Sequence, residues 1–214
     1  AAAGAGGGVL YVEDVFSTFL YKGTGSNQTI TNNIDLNGEG GLVWLKDRNN
    51  TYDHAFYDTE RGIYKYLESN QTGAEGSNTT HLRAFNSNGF DIGVNTQINI
   101  SGSDLVSWTF RKAPKFFDVV TYTGDTSSAK QISHNLGSTP GSIFIKSTDA
   151  SNSWIVYHKD IPGNNGTGVG YLSLNTADNN SVNANAFPTQ PTDTHFTVNA
   201  NYGGMNASGV TYVA

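Results

Sequence analysis

Three acidic side chains lie close together in the sequence and could serve hydrolytic chemistry. Asp53 is followed by Asp58 and Glu60, and cleavage of a glycosidic bond needs two carboxyl groups roughly 5 to 10 Å apart. The second half of the chain contains a similar segment, in which Ser153 and His158 stand where the first half has Asp53 and Asp58. Because no acid pair recurs, we expect these carboxylates to be solvated at a strand edge and not to be catalytic.

Other side chains with catalytic or metal-binding chemistry are scattered along the chain. The sequence has no Cys, no Gly-x-Ser-x-Gly motif and no His spacing typical of a zinc site. The loops at residues 47–53 and 178–185 are rich in Asp and Asn. They lack the Asp-x-Asp-x-Asp-Gly pattern of a calcium loop and are typical of Asx turns. We therefore expect no catalytic residue, no bound metal and no cofactor, in a protein that is not an enzyme.

One aromatic side chain is a candidate for a binding surface. If Ile155 and Tyr157 face a core, alternation along the strand turns Trp154 and His158 outward. His54 stands at the position equivalent to Trp154 in the first half. Exposed Trp side chains stack on sugar rings and anchor protein interfaces. His54, Trp154 and His158 therefore form a candidate ligand or interface surface, although packing in a core or an interface is the favoured alternative for Trp154.

The composition excludes several kinds of partner. The net charge is −6, and the 12 basic residues form no long cluster, so we expect no binding to nucleic acid. No apolar run approaches the roughly 18 residues that span a bilayer, so we expect no insertion into a membrane. Gly, Asn, Thr and Ser are abundant, which is typical of strands joined by turns.

The chain contains an internal duplication with an offset of about 100 residues. Residues 16–23 (FSTFLYKG) resemble residues 117–124 (FDVVTYTG), and residues 41–46 (GLVWLK) resemble residues 141–146 (GSIFIK). The alignment continues to the end of the chain, with insertions in polar segments of the second copy such as residues 162–170. It predicts that Tyr21 is equivalent to Tyr122, Trp44 to Phe144 and Asn70 to Asn175.

Within each copy the hydrophobic pattern is that of strands. Val43, Trp44 and Leu45 form a continuous apolar run of the kind buried inside a sandwich, so Trp44 and Trp108 are predicted to be core residues. Asn-Gly at 88–89 is typical of a turn, and residues 64–70 have the one plausible pattern of a short helix. The sequence predicts an all-β protein made of two tandem homologous β-sandwich domains of jelly-roll or lectin-like type.

The duplication also predicts the domain boundaries. The second copy lacks counterparts of residues 108–110, so we expect its last strand to be cut short and the chain to be a piece of a longer polypeptide. The predicted segments are an Ala/Gly-rich linker or leading segment at residues 1–15, a first sandwich at 16–110, a basic, Pro-containing linker at 111–116 and a second sandwich at 117–214.

Several motifs occur in the order found in a known group of viral proteins. They are residues 42–48 (LVWLKDR), 56–62 (FYDTERG), 85–93 (FNSNGFDIG) and 106–114 (VSWTFRKAP), followed by residues 117–124. Together they resemble a repeat of structural proteins in marine tailed bacteriophages, especially cyanophages, over nearly the whole chain from Val12. The resemblance implies a virion component, in a tail fibre or fibre-like appendage of the extracellular particle. It implies no catalytic residue.

The resulting hypothesis is a non-enzymatic structural protein of a phage particle. Its expected partners are other copies of itself, as a trimer by analogy with phage fibres, other virion proteins and a glycan of the host surface. A small sandwich leaves strand edges open, so we expect other copies or adjoining domains to cover edges or apolar faces. The alternatives are a carbohydrate-binding, lectin-like adhesin and a β-sandwich glycan hydrolase or lyase.

Overall fold

A computed structural model describes residues 10–161, 170–177, 181–182, 186–199 and 204–214 of the chain. The elements of the first half are α1 (Val12–Val15), β1 (Phe16–Lys22), β2 (Gln28–Thr31), β3 (Gly41–Asp47), β4 (Ala55–Asp58), β5 (Lys65–Glu68), β6 (Gly76–Ser77), β7 (Leu82–Asn86), β8 (Gly89–Ile92), α2 (Thr96–Asn99) and β9 (Asp104–Arg111). Those of the second half are β10 (Thr121–Thr123), β11 (Lys130–Ser133), β12 (Ser142–Ser147), β13 (Ile155–His158), β14 (Gly170–Ser173), β15 (Ser181–Val182), β16 (His195–Val198) and β17 (Thr211–Val213). The prediction of an all-β protein is confirmed.

Some predictions fall on other parts of the chain. Residues 1–9 of the predicted leading segment lie outside the described residues, and so does the insertion at 162–170 except for Gly170. In the loop at 178–185, only the backbone of residues 181–182 is described. Within the predicted leading segment, residues 12–15 form α1, and Val15 is buried.

Two antiparallel sheets enclose the core of the first half. One has six strands in the order β1-β9-β3-β4-β5-β6, and the other has three in the order β2-β8-β7. Side chains from both sheets meet between them. Val43, Leu45 and Tyr57 come from the larger sheet and Phe90 and Ile92 from the smaller, and all five are fully buried. This half is a β-sandwich.

The second half has the same order of equivalent strands. Its six-stranded sheet runs β10-β17-β12-β13-β14-β15, and its smaller sheet pairs β11 with β16. Ile143, Ile145 and Tyr157 from the larger sheet pack with Phe196 and Val198 from the smaller. The two halves therefore share one strand order. The division into two homologous domains at residues 110 and 117 stays a prediction.

Hydrogen bonds recur at the positions that the alignment made equivalent. The buried hydroxyl of Tyr21 donates to a carbonyl of α2, and the buried hydroxyl of Tyr122 donates to a carbonyl before β17, each at 2.8 Å. The side chains of Asn70 and Asn175 accept from the backbone N–H just before β4 and β13, at 3.0 and 2.8 Å. These contacts fix the same loops in both halves.

Two equivalent glycines follow the first strand of each half, and each is closely approached by backbone. A Cβ at Gly23 would lie 2.1 Å from the carbonyl oxygen of Ile100, and a Cβ at Gly124 would lie 2.1 Å from that of Ala207. We expect Gly23→Ala and Gly124→Ala each to lower the free energy of unfolding by about 2 kcal/mol, as measured by urea denaturation. Gly73→Ala is the control, because a Cβ there would meet nothing within 4 Å. A cost in only one half would contradict the equivalence of the two turns.

The predicted helix at residues 64–70 is wrong. Lys65–Glu68 forms strand β5, in which Leu67 is buried opposite Phe56 of β4. Pairing with β4 therefore decides the local conformation, against a weak helical pattern. In the described part of the chain the two α-helices have four residues each, and the Asn95 side chain accepts from the backbone of the second one. Residues 87–88 form the turn that joins β7 to β8, and Gly89 of the predicted Asn-Gly pair is already the first residue of β8, where it pairs with Asn86.

The apolar run of β3 is split between the two faces of its sheet. Val43 and Leu45 face the core, but Trp44 lies on the opposite face, which we call the outer face, and is half-buried there. Trp108 stands directly opposite Trp44 on β9 and is also half-buried on the outer face. The prediction that both Trp side chains lie in the sandwich core is therefore wrong. The run is continuously apolar because both faces of the sheet are covered.

Candidate functional site

The acidic side chains singled out by the sequence are engaged in separate structural contacts. Asp53 accepts hydrogen bonds from the Asn70 and Gln71 side chains, at 2.5 and 2.9 Å. Asp58 is paired with Arg61. The expectation of a solvated strand edge is wrong for Asp58, whose side chain is only 2% exposed. A cation covers Asp58, and this compensates for its burial.

Arg61 is the centre of a buried ionic network beside the outer face. Its Nε donates to Asp58 at 2.5 Å, its Nη1 to Glu75 at 3.2 Å and its Nη2 to the carbonyl oxygen of Phe56 at 3.0 Å. The Arg61 side chain is 3% exposed and that of Glu75 is 15% exposed. The guanidinium therefore ties β4 to the loop that precedes β6, through planar, charge-assisted hydrogen bonds.

A row of aromatic rings crosses from the first half to the second. The ring centroids of Trp108 and Trp44 are 5.1 Å apart, those of Trp44 and Phe56 are 4.7 Å apart, and those of Phe56 and Trp154 are 5.3 Å apart. Trp154 precedes β13, is 3% exposed and donates from its Nε1 to the carbonyl oxygen of Glu68 at 3.0 Å. The outer faces of the two large sheets are thus joined by edge-to-face aromatic packing.

A cleft of about 410 Å³ lies beside this row, between the two halves. Leu42, Trp44 and Phe56 line it from the first half, and Phe144 and Trp154 line it from the second. Further aromatic residues of the connecting segment complete its wall, namely Phe110, Phe116 and Phe117. The lining is mostly apolar, and the volume lies in the range of small-molecule sites.

The charged groups at the edge of the cleft are paired with one another. Lys112 contacts Glu60 at 2.8 Å and Asp118 at 3.1 Å, and Asp118 also accepts from the backbone N–H of Asn135 at 2.7 Å. Although partial burial lowers it, the hydrogen bonds to Glu60 and Asp118 raise the pKa of Lys112 above its ordinary value. The basic linker therefore carries a structural ion pair, which the sequence did not predict.

The structure separates the three residues of the predicted surface. His54 accepts at Nδ1 from Trp44 Nε1 at 2.8 Å, and burial, followed by the charge of Lys46, lowers the pKa of His54. It thereby adjoins the aromatic row that includes Trp154. Trp154 is turned away from its own core, as alternation predicts, but the first half covers it. His158 is exposed beside Asp160, at 3.9 Å, and does not line the cleft.

A second histidine is buried inside the first sandwich. Tyr57 and His81 Nδ1 are hydrogen-bonded at 2.7 Å, and the rings of His81 and Tyr66 are stacked with centroids 4.3 Å apart. Burial lowers the pKa of His81 to about 4. In the second half, the hydroxyl of Tyr157 donates to Gln190 at 3.0 Å instead. This contact was not predicted, because His81 belongs to no motif, although Tyr57 lies in the motif at residues 56–62.

The buried histidine predicts a dependence of stability on pH. Protonation of His81 is penalised in the folded state, so its stabilising effect is full above about pH 6.5 and is lost as the pH falls towards about 4. The loss should reach up to about 3 kcal/mol. We expect His81→Gln, which copies the Tyr157–Gln190 pair, to remove this part of the pH dependence in urea unfolding between pH 7 and 4. Parallel curves for the variant and the wild type would contradict it.

The sequence missed most of the residues that build this region. Arg61, Lys112 and Phe116 were not predicted to make these contacts, because partners such as Glu75 for Arg61 and Glu60 for Lys112 are brought to them by folding. Lys46 and Lys146 are different, since both follow the repeated apolar run. Each donates from Nζ to the carbonyl of the last residue of its strand and to a carbonyl of the loop that follows. Their recurrence in the alignment was a usable signal for a shared loop contact.

The described residues contain neither a cluster of metal-binding side chains nor a helix that could span a membrane. Among them, no three His, Asp or Glu side chains are grouped to hold a metal ion, and no helix is long and apolar enough to cross a bilayer. The loop at residues 47–53 is built as an Asx turn, in which Asp47 accepts from the backbone N–H of Asn49 and Asn50, at 2.8 and 3.0 Å. These two donors bind Oδ1 of Asp47, and its Oδ2 accepts from the Asn50 side chain at 3.0 Å.

Fold and cleft together define an all-β sandwich protein with an aromatic cleft between two large sheets. Residues 12–214 match the model of the family described as Domain of unknown function (DUF7483). Because the match spans nearly the whole chain, the protein belongs to this family. Comparison with curated proteins and with solved structures gave no match.

Proposed function

We propose that the protein is a non-enzymatic structural module of a bacteriophage particle, in a tail fibre or a fibre-like appendage that contacts the host surface. The motifs from residues 42–48 to 117–124 support it through their resemblance to phage structural repeats. One structural observation carries the non-enzymatic part: the acids and histidines that could do chemistry, Asp53, Asp58, His54 and His81, are hydrogen-bonded to structural partners.

Rigid coupling of the two halves suits a load-bearing role. Trp154 and the aromatic row bury apolar surface between the large sheets, and Lys112 pairs across the connecting segment with Glu60 and Asp118. Two small sandwiches held in this way resist bending at the linker better than two that are joined by a flexible chain. The partners in this proposal are further copies of the chain, other virion proteins and a host glycan.

The location in the particle is tested by labelling intact phage. Antibodies against the recombinant chain, coupled to gold, should decorate the tail appendages of a phage whose genome encodes it, as seen by electron microscopy. An antibody against a cytoplasmic protein of the infected cell is the control. Label absent from purified particles but present in the lysate would contradict the proposed role.

The non-enzymatic role is tested on glycans of the host envelope. We expect no steady release of products from these glycans by the recombinant chain, because its acidic side chains are hydrogen-bonded in structural contacts. The matched variant is Asp53→Asn, since Asp53 is at the surface and makes only two side-chain hydrogen bonds. Product release by the wild-type chain that this variant abolishes would show that the protein is an enzyme.

The carbohydrate-binding alternative rests on the aromatic mouth of the cleft. Phe116 is 42% exposed and stacks near Phe110, with centroids 6.4 Å apart, and exposed rings suit stacking on sugars. The structural proposal is favoured because Asp58, Arg61 and Asp118, which line the cleft, have their own partners. A glycan array that gives binding with the wild type and none with Phe116→Ala would support the alternative.

A further inference from the structure

Strand β1 forms a long, unprotected edge of the first large sheet. It pairs with β9 over seven consecutive residues without a register shift, and no strand of the described part of the chain lies on its other side. It contains no Pro, and its single charge is Lys22 at the end. The other edges are shorter or broken. For example, β10 has three residues, and β7 has a bulge at Arg83. An edge of this kind is a template for another strand.

The hydrogen bonds at the C-terminal end of β1 show which of its backbone groups face the open edge. The N–H of Gly23 donates to the carbonyl of Ser103, so the odd-numbered residues of β1 face β9. The even-numbered residues must face the open side. Consistent with this, the carbonyl of Lys22 accepts from the Gln28 side chain and not from β9. Thr18 and Leu20 therefore present N–H and C=O groups at the edge, and the Leu20 side chain is 60% exposed.

We propose that this edge pairs in antiparallel with β1 of a second copy, in the register that places Thr18 opposite Leu20 of the partner subunit. The two-fold axis passes between Phe19 of one copy and Phe19 of the partner subunit, which makes the contact self-complementary. Both residues present their backbone groups to the edge, so each copy donates two N–H groups and accepts two. The two large sheets then become one continuous sheet.

Charge complementarity favours a second copy over an unrelated strand. In this register Lys22 lies opposite Phe16 of the partner subunit, close to the exposed acidic residues of α1, Glu13 and Asp14. Lys22 already pairs with Asp104 at 2.8 Å, where 64% and 50% of the two side chains remain exposed. It has further N–H donors for a second carboxylate. The attraction occurs twice by symmetry, and it selects the antiparallel pairing.

Exposed Leu20 gives a variant that disturbs the edge and leaves the fold intact. Leu20→Lys places two like charges near the axis, as edge strands do to prevent pairing. We expect the wild-type chain to dimerise with rising concentration in sedimentation velocity and Leu20→Lys to raise the dimer dissociation constant at least tenfold. Val94→Lys is the matched control, because Val94 is 56% exposed and lies outside β1. An equal effect of both variants, or a wild type that stays monomeric at all concentrations, would overturn the proposal.

The register is tested by cross-linking, for which the chain offers a clean background because it has no cysteine. Opposite residues of a hydrogen-bonded antiparallel pair have Cα atoms about 5.5 Å apart, which a disulfide spans. Thr18→Cys combined with Leu20→Cys should therefore give a covalent dimer on mild oxidation. Neither single variant should do so, because the two identical cysteines would lie diagonally across the strand pair and would be farther apart than directly opposite residues. A dimer from a single variant, or a trimer without any cross-link, would overturn the proposed pairing. Both readouts are independent of the proposed place in a phage particle.

Discussion

Replacing Arg61 with methionine is expected to lower the free energy of unfolding by about 3–5 kcal/mol. Arg61 is buried with Asp58 and Glu75, and its Nη2 also holds the carbonyl of Phe56. Methionine fills much of the same volume but leaves the buried carboxylate of Asp58 without its cation, and it leaves Glu75 with only its contact to Lys65 at 3.3 Å. The cost arises mainly from the unpaired charge of Asp58 rather than from lost packing. Urea denaturation at neutral pH, followed by far-UV circular dichroism, measures it.

The control removes the cation of an exposed pair. Lys22→Met breaks the contact between Lys22 and Asp104, two side chains that are each at least half exposed. Solvent replaces the lost interaction, so we expect little change in the free energy of unfolding. Arg61→Met combined with Asp58→Asn should recover part of the loss, because one buried charge disappears with the cation. If both single variants cost the same, the Arg61 network would not have the buried character that its geometry implies.

The sequence predicted the all-β class well because the signal of a strand is local. Alternation and the repeated segments identified the strand class and the equivalent positions of Tyr21 and Tyr122, whose hydroxyls make matching hydrogen bonds in the two halves. A period of two residues reports only which side chains share a face. It does not say what covers each face. This is why Trp44 was predicted to lie in the core but lies on the outer face.

The cleft was beyond prediction because it forms between segments that are far apart in the chain. Asp58 and Arg61 are near neighbours in sequence, but Glu75 and the cleft wall are brought to them by folding. The short helix predicted at residues 64–70 failed for the same reason, since strand pairing with β4 decided the outcome. Alternation correctly predicted that Trp154 faces away from its own core, but it did not predict that the first half covers this side chain.

Trp154→Ala is expected to cost about 3–5 kcal/mol, mainly in the contact between the two halves. The indole is 3% exposed, packs edge-to-face on Phe56 and donates to the carbonyl of Glu68. Its removal leaves a cavity between the outer faces and takes one donor from the carbonyl of Glu68, which keeps the N–H of Gln71 at 3.2 Å. Trp154→Phe should cost less, since it keeps an aromatic ring against Phe56 and loses the hydrogen bond, which contributes about 1 kcal/mol.

The two cores do not share Trp154, so its loss should uncouple the halves before it unfolds either sandwich. We expect trypsin to cleave Trp154→Ala faster than the wild type after Lys112 or Lys115, in the connecting segment, because the ion pairs of Lys112 depend on the docked arrangement. Urea unfolding should separate into two transitions. Phe116→Ala, which removes a half-exposed ring beside the same segment, is the control and should keep one transition. A single transition at lower urea, without faster cleavage, would mean that the halves unfold as one cooperative unit and that Trp154 acts on the stability of the whole chain.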